Sequence, residues 1–418
     1  MQEWKTYTLK DLSKGKGEYG IGASAIPFDK DKLIYLRITD INDDGTLNKS
    51  GLTSVDAVDA SKYLLEKNDI VFARTGNSTG RSYFYDGSDG PLVYAGFLIR
   101  FRLDDSKVNP RILKYYTHSK PYYDWVQSFD TGGTRGNINA KTYGDMPITL
   151  PPRHVQDRIV DILYSLDAKI ENNRRINDNL EQQAQALYKS WFVDFEPFKD
   201  GKFIESELGL IPEGWSIIKV GELPLYISDY VSNGSFASLK ENVTLYETPN
   251  YAQFIRNTDL KSQQFSVWVD EASYEFLGKS KLTGGEIIIS NVGDVGSVHL
   301  CPKLSIPMTL GNNVIMIKPT DIAYNYFIYM TFKWFYGRDL IKGITGGSAM
   351  PKFNKTDFKS LKLVIPDYST LSKFNSLVSK LIEQVTNFNH SNQRLSQTRD
   401  TLLPKLMSGE LRINEIDC

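Results

Sequence analysis

The second half of this 418-residue chain is a diverged copy of the first, and a duplicated chain has to fold as two versions of one plan. "WKTYTLKDL" from Trp4 answers "WSIIKVGEL" from Trp215, and "YLRITDI" from Tyr35 answers "FIRNTDL" from Phe254. "DIVFARTGNSTG" from Asp69 answers "EIIISNVGDVGS" from Glu286, and "TGGTRGN" at 131 to 137 answers "TGGSAMP" at 345 to 351. The offset drifts from 211 through 219 and 217 to 214, as small insertions in surface loops require. From Ile138 to Trp191 it then holds at 215, against Phe353 to Leu406.

Each half therefore has a variable front part and a back part of fixed length. The front parts, residues 1–150 and 213–366, read as mixed α/β domains. Short β-branched or aromatic runs ("LIYLRI", "DIVFA", "FLIRF", "SVWVD", "EIIIS", "VIMI") alternate with Gly, Asn and Asp clusters, which is strand and turn chemistry. A helical stretch precedes each glycine pair: "PRILKYYTHSKPYYDWVQS" in one copy and "YNYFIYMTFKWFYGRDLI" in the other.

The back parts, residues 151–212 and 367–418, are long helices. Steps of four and three give Ile159, Leu163, Leu166, Ile170, Asn173, Asn177, Leu180, Ala184, Leu187 and Trp191, an unbroken heptad seam. The second copy gives Phe374, Val378, Leu381, Val385, Phe388, Asn392, Leu395, Arg399, Leu402 and Leu406. Pro151, Pro152 and Pro366 mark where each helix begins. Roughly 35 residues at 1.5 Å each make rods on the order of 50 Å long. Asn177 and Asn392 hold equivalent seam positions, and a polar seam residue fixes register and partner, so the rods are expected to pack together. The expected fold is two α/β heads joined by two long antiparallel coiled-coil helices, with an approximate twofold axis.

Two similar heads on a rigid spacer match the symmetry of duplex DNA and suit a target of two half-sites with a gap. A free-standing bipartite DNA-binding regulator and a coiled-coil scaffold that binds no DNA fit the same pattern. With 49 basic and 50 acidic residues the net charge is near zero, so DNA binding would depend on local basic groups or partner subunits. Catalysis finds little support. There is no Asn-Pro-Pro or Asp-Pro-Pro motif for base amination, no phosphate-binding loop of Walker type and no zinc-deaminase signature. "GKGEYG" at 15 to 20 fits the dinucleotide glycine pattern but lacks the preceding strand, and reads as a flexible loop. Asp367 and Glu383 read as helix-face charges. Two cysteines, Cys301 and Cys418, and four histidines without ligand spacing argue against a disulfide framework or a zinc site. The apolar runs are strand-sized, far below the roughly 18 residues of a membrane span, and no secretory signal is visible, so a cytoplasmic location is expected.

"LPPRHVQDRIVDILYSLDAKIENNRRINDNLEQQAQALYKSWFVDFEPF", followed by "ELGLIPEGW", resembles the central region of the specificity subunit of type I restriction-modification enzymes. "RLSQTRDTLLPKLMSGELRI" is similar to that family's carboxyl-terminal end. The resemblance spans the chain in order: target-recognition domain, helices, target-recognition domain, helices. It implies a non-catalytic subunit in which each target-recognition domain reads half of a split double-stranded DNA site. The helices would dock two methylation subunits that use S-adenosylmethionine on adenine. Restriction subunits with a motor, using ATP and Mg2+, would join for cleavage. No cofactor is expected on this chain itself.

Candidate DNA-contacting residues follow from small or base-reading side chains in the repeated loops. In the glycine loops these are Thr131, Gly132, Gly133, Thr134, Arg135 and Asn137, and Thr345, Gly346, Gly347, Ser348 and Lys352. A tight turn is the plainer reading of both. The loop "ARTGNSTGR" offers Arg74, Thr75, Asn77 and Arg81, and its echo "SNVGDVGS" offers Asn291 and Asp294. Arg37 and Arg256 could meet phosphate or bridge to Asp40 and Asp259 in their own domains. Tyr188, Trp191, Phe192 and Phe195, with Phe198, could dock a methylation subunit or pack beneath a domain.

Overall fold

A computed structural model describes residues 4–129, 136–347 and 349–411, without the side chain of Phe335. It divides into two compact units: Met1–Asn173 with Asn389–Cys418, and Arg174–Phe388.

In the first unit, Lys5–Thr8 pairs antiparallel with Pro147–Leu150, so the first and last strands of the head close on each other. A four-stranded antiparallel sheet follows, in the order Glu18–Tyr19, Leu98–Arg102, Asp69–Ala73, Ser82–Tyr85. A second sheet has the order Ala25–Pro27, Thr53–Val55, Leu33–Leu36, Leu92–Tyr94, its last two strands parallel. All five residues of Asp69–Ala73 are buried, because the strand is covered on both faces. Ile70 and Phe72 face Ile112, Leu113 and Tyr122 and the long-helix residues Ile159 and Leu163; Val71 and Ala73 face Leu36, Leu92 and Tyr94.

The second unit repeats this plan. Ser216–Lys219 pairs with Lys362–Ile365, and the antiparallel sheet runs Leu225–Asp229, Val314–Pro319, Ile287–Ser290, Val298–Leu300. Its other sheet gains a fifth strand: Leu245–Tyr246, Trp268–Val269, Ala252–Ile255, Met308–Leu310, Lys281–Leu282. Ile287 and Ile289 enter the core with Phe327 and Phe374, while Ile288 enters the other with Leu310. Burial of each such side chain contributes about 1.5–3 kcal/mol. A hairpin, Phe203–Ser206 with Gly209–Pro212, precedes this head.

The helical stretch before each glycine pair is two helices. Pro110–Tyr116 and Lys120–Gln127 break at Ser119, and Asn325–Lys333 and Phe335–Ile344 break at Trp334, 215 residues later. Pro121 in the first turn of its helix accounts for the first break. In the second copy Gly337 lets the chain fold back: a Cβ there would lie 2.0 Å from the Thr331 carbonyl oxygen. "GKGEYG" is also not a flexible loop. Glu18–Tyr19 is a sheet strand, and a Cβ on Gly17 or Gly20 would strike Phe101 or the Tyr94 and Ala95 carbonyls. Asp367 has a structural role: its carboxylate accepts from the Thr370 amide at 3.0 Å and hydroxyl at 2.6 Å, capping the second long helix.

The long helices are Arg153–Phe192, 40 residues, and Tyr368–Ser408, 41 residues, each about 60 Å long. In the first unit Asp167 meets Arg399 and Asn173 meets Asn392; in the second, Tyr188, Trp191 and Phe192 meet Phe374. Numbers rise along one helix as they fall along the other, so the pairing is antiparallel. Along the seam Leu163, Ile170, Asn177, Leu180 and Val385 are buried, and Leu166, Leu187, Leu381, Asn392, Leu395 and Leu402 are half-buried.

Asn392 accepts a 2.8 Å hydrogen bond from Asn173 Nδ2. Asn173→Leu alone strands the Asn392 amide against an apolar neighbour and is expected to cost about 1–3 kcal/mol. Leucine at both positions should restore stability and loosen register. Urea unfolding of the two variants separates these outcomes; an unchanged midpoint for the single variant would show the hydrogen bond to be dispensable.

Candidate nucleic-acid interface

In both units the residue just past the glycine loop is joined to the other candidate loop by the same backbone bond. The Ile138 amide donates to the Arg74 carbonyl at 3.0 Å, and the Phe353 amide donates to the Asn291 carbonyl at 3.1 Å. In the first unit the Thr79 hydroxyl also donates to the Gly136 carbonyl at 3.2 Å. In the second, the Gly293 amide donates to the Pro351 carbonyl, and Gly346 and Lys352 exchange both backbone bonds at 2.9 Å, which ties the two ends of the second glycine loop together. Gly347 has φ +91°, and a Cβ there would lie 2.7 Å from the Met350 carbonyl oxygen, so glycine is required. Thr345 closes the preceding helix through its hydroxyl, which donates to Ile341 at 2.7 Å. Lys352 and Asn137 are exposed. Thr131, Gly132, Gly133, Thr134, Arg135 and Ser348 lie outside the described residues.

Several candidate side chains have internal partners. Arg37 makes a two-pronged contact with Asp40 at 2.9 and 2.7 Å, and Arg256 makes the same contact with Asp259 at the same distances. In each case the aspartate also accepts the arginine's own amide. The phosphate-contact reading gives way to the internal bridge, a repeated device that fixes the turn after the parallel strand. Arg81 spans the Ile41 carbonyl at 3.0 Å and Asp43 at 2.6 Å. Asp294 accepts from Ser297, Asn257 and Lys261 at 2.6, 2.9 and 2.7 Å. Burial opposes its charge, yet these donors hold its carboxyl down to about 2. Asn291 uses its amide nitrogen on the Phe353 carbonyl at 3.3 Å.

Arg74 is placed differently. Its guanidinium lies 5.1 Å from the Tyr19 ring centroid, and its Nε has no acceptor among the described residues. Thr75 begins the short turn Gly76–Ser78, and Asn77 is exposed on it. Among the described residues the arrangement offers no acid-base pair or nucleophile with an activating base. Among the described residues no cluster of His, Cys, Asp or Glu could hold a metal ion. Its chemistry is that of binding: backbone-braced loops with arginine, asparagine, threonine and lysine at the rim.

The aromatic cluster is occupied internally. Tyr188 is buried, shares a 2.8 Å hydrogen bond with Thr331 and packs tilted or edge-on against Phe192, Phe327 and Phe374. Burial pushes its phenol well above the ordinary range. Trp191 meets Phe198 and Phe374; Phe192 and Phe195 meet Trp215. The packing reading describes these rings.

Sequence reasoning did not find Tyr19, Phe97 or Lys355 beside the loops. Tyr19 and Phe97 are brought there by sheet pairing between segments remote in sequence, while Lys355, three residues past Lys352, begins a short helix and reaches Asp229; residue type alone carries no signal of either.

Comparison with known proteins gives concordant results. The family described as "Type I restriction modification DNA specificity domain" matches residues 1–182 and 212–397. The HindI specificity subunit of Haemophilus influenzae is 24% identical over 479 residues, spanning 98% of this chain and 100% of that one. The MjaIX specificity subunit of Methanocaldococcus jannaschii is 28% identical over 310 residues, 73% of this chain and 69% of that one. In fold, the chain is similar to the crystal structure of the type I restriction-modification system S subunit from M. genitalium: TM-score 0.56, 18% identity, 97% and 96% of the two chains covered.

Proposed function

Because the chain belongs to the type I restriction modification DNA specificity family, we propose that it reads a bipartite site in double-stranded DNA, one half-site per head. The observation that carries this reading is the shared bond, Ile138 to Arg74 and Phe353 to Asn291: one braced loop pair occurs twice, with different side chains on it. Two heads with one frame and different contact residues suit two half-sites of different sequence. As the specificity subunit, the chain selects the site and leaves the chemistry to partners. Two methylation subunits carrying S-adenosylmethionine dock on its helices and methylate adenine. Restriction subunits with ATP and Mg2+ complete the assembly in the cytoplasm. The near-neutral charge agrees with this division, since partners then supply much of the phosphate contact.

The test is to co-express the chain with its neighbouring methylation gene and map adenine methylation in host DNA. A split motif methylated on both strands is expected. A folded complex without methylation that depends on this chain would defeat the reading.

A further inference from the structure

Three positions in the first unit have counterparts in the second that identical backbone geometry fixes. The Arg74 amide donates to the Phe97 carbonyl at 3.1 Å, and the Asn291 amide to the Asn313 carbonyl at 3.1 Å. Tyr19 pairs with Ile99, which faces Phe72; Asp229 pairs with Ile315, which faces Ile289. The Tyr19 hydroxyl accepts from the Ala140 amide at 3.1 Å, and 215 residues later Lys355 donates to Asp229 at 3.1 Å. The frame is the same in both heads, and the side chains on it differ in kind. The first head has tyrosine, arginine and phenylalanine where the second has aspartate, asparagine and asparagine.

In the first head Tyr19 and Phe97 are exposed, and the half-buried Arg74 lies over the Tyr19 ring. Tyr19 is 42% exposed, and Phe97, at 57%, is the most exposed aromatic among the described residues of that unit. Phe97 stands at a tight turn closed by the Leu98 amide on the Ala95 carbonyl at 2.8 Å, so the ring is presented on rigid backbone. A scattered exposed apolar residue needs no explanation. One whose own carbonyl braces the arginine of the candidate reading loop does. Aromatic rings beside arginine stack on bases, and apolar wedges enter base steps that have been opened.

We infer that Phe97 is such a wedge. In the half-site read by the first head its ring inserts into a base step, while the guanidinium of Arg74, aligned by Tyr19, holds the phosphate flanking the opened step. This rests on the two-headed DNA reading above and adds an asymmetry to it: the second head has Asn313 and Asn291 at these places and leaves its half-site stacked.

The experiment uses the full chain in complex with its methylation subunits, on duplexes of the mapped target with 2-aminopurine placed at successive positions other than the adenines to be methylated and their immediate neighbours, because methyltransferases extrude their target base. Emission should rise severalfold at one step, in one half-site only. Phe97→Ala should abolish the rise and weaken specific binding about ten- to a hundredfold; Phe97→Trp should retain both. Because Phe97 is exposed, the alanine variant is expected to melt like the wild type. Specific methylation without unstacking, or unstacking that survives Phe97→Ala, would overturn the wedge and leave the two-headed reading intact. Failure of the wild-type complex to bind any site specifically would overturn both.

Discussion

Replacing Asp167 with alanine is expected to destabilise the first unit by about 3 kcal/mol and to leave the second unaffected. Asp167 lies on the first long helix, its side chain 14% exposed, and accepts from Lys114 at 2.8 Å, Tyr115 at 3.0 Å and Arg399 at 2.9 Å. One carboxylate thus ties the head, through Lys114 and Tyr115, to both long helices. Removing it leaves two cations half-buried beside each other, the costly way to break an ionic cluster. The second unit has no such dependence, since the positions equivalent to Asp167, Arg399 and Lys114 are Ile382, Ala184 and Tyr329, all in its apolar core. Hydrogen exchange should accelerate in Pro110–Tyr116 and not in Asn325–Lys333. Equal protection in variant and wild type would remove the anchor from the account.

The same group sets a pH dependence. Burial raises the Asp167 carboxyl, but Lys114 and Arg399 outweigh it, and the folded value lies below the ordinary one. A depressed folded value means that the stabilisation is fully present above the unfolded value of about 3.9 and is lost as pH falls through the folded one. Acid should therefore loosen the first head through this carboxylate, and Asp167→Asn, already weakened at pH 7, should show a flatter acid limb in urea unfolding.

The repeat made the duplicated plan, the long helices and their seam legible, because a constant offset of 215 and a heptad period are local patterns in the chain. The buried strands Asp69–Ala73 and Ile287–Ser290 were legible as short β-branched or aromatic runs between turn residues. The anchor was not. Arg399 reads as an ordinary member of the second seam, and only antiparallel pairing sets it against Asp167, 232 residues away. The seam pointed to Asn177 and Asn392 as equivalents, whereas the hydrogen bond across the first unit's helices joins Asn392 to Asn173. Of the candidate site, the repetition of both loops was legible, but not the backbone bonds that join Ile138 to Arg74 and Phe353 to Asn291. The bridges of Arg37 to Asp40 and of Arg256 to Asp259 were one of two readings open in the sequence; that Arg81 and Asp294 would be held by Asp43 and Lys261 depends on turn geometry, which residue type does not encode.

Exchanging residues 1–150 for the same segment of another family member is expected to change one half of the methylated motif and keep the other. The pairing of Lys5–Thr8 with Pro147–Leu150 places both ends of the segment in one ladder, and Arg153 begins the helix just beyond, so the cut severs neither element. The contacts it does cross are specific. Asn109 donates to Asp157 at 2.8 Å and its amide to Gln156 at 3.0 Å, while Lys114 holds Asp167. An incoming head without a cation at the place of Lys114 would leave Asp167 with Arg399 alone, and should recover full methylation only when that lysine is restored. Methylome sequencing of the exchanged chain, with and without the lysine, reads both effects. A motif that stays the same in both halves would mean that residues 1–150 do not carry a half-site. A changed motif with activity indifferent to the lysine would instead confine the role of Asp167 to folding, separate from the seating of the head on its helices.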